Sequence, residues 1–217
     1  MNRITRLMAG HVETMTGKTA TERAFKEKPL RDYKVIHLAT HALLDPQVPS
    51  RSAIVFARGS TPDDGWLQPR EISSLDLAGQ LVVLSACESA AGTISSAEGM
   101  HSLARAFTYA GARTVVGTLW KVEDASAAAF VEDMYKSIAT GQSVSGALRE
   151  AQLRMAGDHP YRNSRHWAGW IAAGDPAAKL ELEPRRSRYW PALACTMALI
   201  VVAIVARKKF LPARTIE

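Results

Sequence analysis

Two runs of nearly unbroken apolar sequence, LVVLSA at 81–86 and RTVVGTLW at 113–120, constrain this chain more than any other feature. A strand with one wet face alternates apolar and polar residues. A run without that rhythm must be covered on both faces, as the inner strands of a parallel sheet are. Between the two runs lies the segment Ser96 to Ala110. There Met100, Leu103, Ala104 and Phe107 recur at helical steps, and Gly111 supplies the stop. Strand and helix in alternation imply an α/β domain with a largely parallel sheet.

Further elements fit around this pair. Thr19 and Glu22 form a T-x-x-E capping pattern, predicting a short helix that ends near Lys28. YKVIHLAT (33–40) and SAIVFAR (52–58) read as strands, with Pro46, Pro49 and Ser50 breaking the chain between them and a loop from Gly59 to Gly65. Pro69 starts a short helix. EDASAAAFVEDMYKSIATG and SVSGALREAQLRMAG are two more helices closed by glycine, and HWAGWIAAG (166–174) is a last strand.

At 217 residues, with 47% apolar and 22% charged residues, the chain is long enough for one well-packed domain and is not composed like a disordered one. Residues 181–217 carry +4 of the net charge of +6, and the body has no basic stripe with interleaved aromatics. Nucleic acid is therefore not an expected partner. Two cysteines, at 87 and 195, cannot build a disulfide framework, so a reducing compartment fits. Residues 1–18 lack the apolar core of a signal peptide and read as a loosely structured lead-in. YWPALACTMALIVVAIVA (189–206) is an uncharged run of 18 residues flanked by RRSR and RKK. That is near the length a bilayer core requires, with Tyr189 and Trp190 suited to an interface. One C-terminal transmembrane helix is expected at 189–206, after a basic linker at 177–188 and before a short tail at 207–217. With no signal peptide, the simpler topology is a single-pass anchor with the folded domain in the cytoplasm.

Parallel sheets present functional groups where strands end and loops begin. His41 follows one such strand and Cys87 another. On neighbouring strands, about 4.8 Å apart, imidazole and thiol could meet over the edge of the sheet. That is the minimum for a thiolate nucleophile with a proton-shuttling partner. Small residues around the cysteine (Ser85, Ala86, Ser89, Ala90, Ala91 and Gly92) leave room for a substrate backbone, and the N–H groups of Ala42 and Cys87 are candidates to hold an oxyanion. Asp45 and Glu88, beside the pair, and Trp120 and Asp124, at the end of the 113–120 strand, are candidates to line a substrate pocket. His37 shares a strand face with His41. His37 and Ser85 are read as supporting residues, since no G-x-S-x-G turn surrounds Ser85. In HLATH, Leu38 stands where a zinc-binding H-E-x-x-H helix needs glutamate, so no metal is expected. Nor does a glycine-rich phosphate loop occur, and no cofactor is implied.

Four blocks together, VIHLATHALLD, LVVLSACESAAG, EGMHSLARAFTYAGARTVVGTLWKVED and HWAGWIAAGDP, resemble the CHAT domain, a prokaryotic relative of caspases and separase, over residues 19–176. The resemblance implies a caspase-like three-layer sandwich with a mostly parallel central sheet. It also implies a dyad that cleaves peptide bonds, made of His41 (the second histidine of H-x-A-T-H) and Cys87. Ala42 stands where the family usually has glycine, and Ala90 replaces the glycine of C-E-T-G-x-G. An amide donor at position 42 needs glycine only if the backbone there has positive φ. An upstream strand–helix segment common in the family is expected to be lacking, so a regulatory protein partner is expected to complete or gate the fold. The expected function is a membrane-tethered, caspase-like cysteine endopeptidase acting on a regulated protein target. The alternative is a catalytically weak or inactive interaction or adaptor module at the membrane.

Overall fold

A computed structural model describes residues 12–45, 47–59, 63–85, 87–88, 96–157, 160–175 and 177–180. In chain order its strands are β1 (Val35–Leu38), β2 (His41–Leu43), β3 (Ala53–Val55), β4 (Trp66–Leu67), β5 (Leu81–Leu84), β6 (Cys87–Glu88), β7 (Thr114–Thr118) and β8 (Trp170–Gly174). Its α-helices are α1 (Glu22–Lys26), α2 (Pro69–Ile72), α3 (Ser96–Tyr109), α4 (Asp124–Ala139) and α5 (Val144–Ala156).

The unbroken apolar runs lie where their composition demands. β5 and β7 are the two inner strands of a sheet ordered β1-β5-β7-β8, and every residue of both is buried. β1, β5 and β7 are mutually parallel, while β8 runs antiparallel to β7. Strand alternation divides the core in two. Ile36, Leu38, Val82, Leu84 and Val115 pack with Met100, Leu103 and Phe107 of α3. On the opposite face, Leu81, Val83 and Val116 pack with Phe130, Met134 and Tyr135 of α4 and Ala147, Ala151 and Met155 of α5. The result is a mixed α/β layered fold with a mostly parallel sheet. α3 ends where the sequence says it must: Gly111 has φ +109°, and a Cβ there would lie 2.3 Å from the Leu77 carbonyl oxygen.

Two local expectations are corrected. Thr21, not Thr19, caps α1: its backbone is extended and its hydroxyl accepts from the Ala24 N–H at 3.2 Å. Glu22 is instead buried, accepting from the Gly65 N–H at 2.9 Å and pairing with Lys26, which also reaches Asp63 and Glu71. The second correction concerns the strands that carry the reactive residues. YKVIHLAT does not end at Thr40, and LVVLSA does not end at Ala86. Each pauses for two residues and resumes in a second, smaller sheet ordered β4-β3-β2-β6. There β2 pairs antiparallel with β3 and parallel with β6.

No helix among the described residues is long and apolar enough to cross a membrane, and the expected membrane helix at 189–206 lies outside the described residues.

Candidate active site

His41 and Cys87 are direct backbone partners. They form the first rung of the parallel β2–β6 pair, and Ala42 faces Glu88 on the next. The register has a simple origin. In the main sheet Val35 faces Leu81 and Leu38 faces Leu84, so each β1 residue meets the residue 46 positions further on. His41 and Cys87 keep that same offset after the break. The sequence separation of the two residues is the register of the sheet. His41 is exposed, and the side chains of Cys87 and Glu88 lie outside the described residues.

Ala42 is buried within β2, opposite Ile54. No non-glycine residue among those described has positive φ, so alanine carries no backbone penalty at this position.

His37 and Ser85 sit just before the break in the two strands. The Nε2 of His37 lies 2.7 Å from the Ser85 hydroxyl, and the His37 ring tilts against Tyr135 at 5.8 Å between centroids. By register His37 faces Val83, so Ser85 is its diagonal neighbour on the same side of the sheet. Burial lowers the His37 pKa to about 4, so the imidazole is neutral near pH 7, with one ring N–H and one lone pair. Tyr135 beside it is fully buried, its hydroxyl finds no hydrogen-bond partner among the described residues, and burial raises its pKa.

Among the other candidates, Asp45 lies in the loop after β2. Its Oδ1 accepts from the N–H groups of Gln47 at 3.0 Å and Val48 at 2.8 Å, and its own N–H donates to the Ser52 hydroxyl. This carboxylate therefore shapes its own turn. Trp120 and Asp124 follow β7, one strand beyond β5, with Asp124 as the first residue of α4. The Trp120 ring lies flat over Gly169, where a Cβ would sit 2.6 Å from the indole, and its Nε1 donates to the Arg165 carbonyl at 2.8 Å.

One arrangement at this rim escaped the sequence reading. Arg165 Nε donates to His166 Nε2 at 3.1 Å. That fixes the tautomer, so His166 Nδ1–H donates to the Ser126 hydroxyl at 3.0 Å. Ser126 in turn donates to the Glu123 carbonyl at 2.8 Å. This chain ties the start of α4 to the loop before β8. Only spatial proximity reveals it, because 40 residues separate His166 from Ser126.

A groove of about 700 Å³ is lined by every residue from Val35 to His41, together with Phe25, Leu30, Tyr33, Phe56 and the segment from Glu13 to Gly17. Consecutive strand residues point to opposite faces, so a cavity touching all of them runs along the hydrogen-bonding edge of β1. Among the described residues, β1 is the last strand on this side of the main sheet. Among the described residues, no group of three or more His, Cys, Asp or Glu side chains is placed to hold a metal ion.

The comparison with known proteins agrees with this architecture. The family model of the CHAT domain matches residues 1–175. The chain belongs to the CHAT domain family. Tetratricopeptide repeat protein 28 of mouse is 34% identical over 108 residues, and its human counterpart 32% identical over 108. In each case the match covers half of this chain and only 4% of the relative's own length. A CHAT domain is related to the caspase-like peptidases, and the mixed α/β fold with its mostly parallel sheet is compatible with that relationship.

Proposed function

We propose that this CHAT domain is a cysteine endopeptidase in which His41 and Cys87 form the catalytic dyad. The supporting observation is the register: the two residues are partners on parallel strands at the carboxyl end of the sheet. In this reading the imidazole takes the thiol proton and the thiolate attacks a peptide carbonyl. The oxyanion is held by the amides of Ala42 and Cys87, and the protonated His41 gives its proton to the leaving amine. Water, deprotonated by the same ring, then releases the acyl group and regenerates the thiol. Glu88, Trp120 and Asp124 are the candidates to contact substrate. Asp45 serves indirectly, through the turn it holds. The enzyme is tethered to the membrane through 189–206, with its domain in the cytoplasm, and a protein partner regulates it.

A peptidyl electrophile added to the detergent-solubilised chain tests the dyad. Labelling should fall on Cys87, disappear in Cys87→Ala and slow by about 100-fold or more in His41→Ala. Labelling at Cys87 that is indifferent to His41→Ala would remove the dyad and leave the reading of the chain as an interaction module. Cleavage of an unbiased peptide library, with Cys87→Ala as the blank, then defines the substrate.

A further inference from the structure

We propose that the hydrogen bond between His37 and Ser85 is a register clamp: it carries the alignment of β1 and β5 across the break, so that His41 arrives opposite Cys87. The functional consequence rests on the dyad reading above; the clamp itself does not. Backbone pairing in the main sheet ends with the bond from the Ser85 N–H to the Leu38 carbonyl, at 3.2 Å. Among the described residues, pairing between the two segments resumes at His41 and Cys87. Two sequence positions separate β1 from β2 and two separate β5 from β6. Beyond the break the resumed pairing has little of its own to hold the register, because β2 and β6 face each other over two residues only. On the outer side, Thr40 is tied to β3 through its hydroxyl and the Val55 carbonyl, 2.5 Å apart. On the inner side, the described side-chain bond that links the two chains at the break is the one between His37 and Ser85, at 2.7 Å.

The surroundings suit such a clamp. The imidazole is half-buried and leans on Tyr135 of α4, which limits its rotation. Its neutral state leaves it able to bond a hydroxyl whichever tautomer it adopts. His37 is thus a positioning residue: it acts through strand alignment, by its bond to Ser85.

Disulfide trapping between positions 41 and 87 tests this without dyad chemistry. Residues paired across parallel strands lie within the Cα separation that a disulfide spans. In a His41→Cys, Cys195→Ala chain, oxidation by glutathione disulfide should join positions 41 and 87 rapidly. Adding Ser85→Ala or His37→Leu should slow the joining at least fivefold. His37→Gln, whose side-chain amide can still reach the hydroxyl, should recover most of the rate. If His37→Leu proves unfolded by circular dichroism, Ser85→Ala, which removes a single oxygen atom, decides the matter. Equal cross-linking rates in the parent and the Ser85→Ala chain would overturn the clamp. Because trapping uses no imidazole, its failure is separate from any failure of the labelling test of the dyad.

Discussion

At the residue scale, the most informative side chain is His37, whose environment sets a pH dependence with a definite sign. Its folded-state pKa of about 4 lies below the 6.5 of a free histidine because burial disfavours the imidazolium. Above pH 6.5 neither the folded nor the unfolded chain holds the extra proton, and the full stability is present. Between 6.5 and 4 the unfolded chain binds a proton that the folded chain refuses, so stability falls. Below 4 both bind it and the loss is complete, on the order of 3 kcal/mol at most. Urea unfolding at pH 7 and pH 4.5 should therefore show a smaller pH-dependent loss in His37→Gln than in the parent. An identical loss would mean that His37 is not the titrating group. The residue types at the site were legible in the sequence, because a reactive thiol and imidazole beside buried strands stand out. The bond between His37 and Ser85 was not, since a face shared by strand alternation says nothing about which atoms meet.

At the scale of elements, the inner strands and long helices follow directly from apolar periodicity: α3, α4, α5, β5 and β7 lie within a few residues of where the pattern puts them. The second sheet was not legible. β2 and β6 are three and two residues long, too short for a period to register, and their pairing keeps the offset of the main sheet. The capping error at α1 has a similar origin. Thr19 and Thr21 both lie near the helix start, and Glu22 is drawn away to the Gly65 amide, so the box pattern misleads. The hydrogen-bond chain from Arg165 to Glu123 makes a prediction at this scale. Ser126→Ala leaves the His166 N–H buried without an acceptor, which should cost about 1–3 kcal/mol. It should also loosen the loop that carries Trp120, so tryptophan fluorescence of the folded variant should shift. Unchanged stability and emission would mean that the chain does not brace the rim.

At the scale of the whole molecule, the main sheet has two edge strands among the described residues, and a groove lies along one of them. β8, antiparallel to β7, finishes one edge, while β1 lies at the other, beside the groove. The Lys34 and Leu38 carbonyls accept from Leu81 and Ser85, so the backbone groups of the even-numbered residues of β1 face β5. Those of Val35 and His37 face outward. Amide exchange should therefore alternate along β1, slow at Ile36 and Leu38 and faster at Val35 and His37. Uniform protection across Val35–Leu38 would show that another strand occupies the edge.

The constant offset of 46 also constrains how this chain can change length. A residue inserted between Leu38 and His41 would bring a different neighbour opposite Cys87, unless a matching residue entered between Leu84 and Cys87. The two short bridges behave as a linked pair of spacers, and a change in the length of one is tolerable only when the other changes with it.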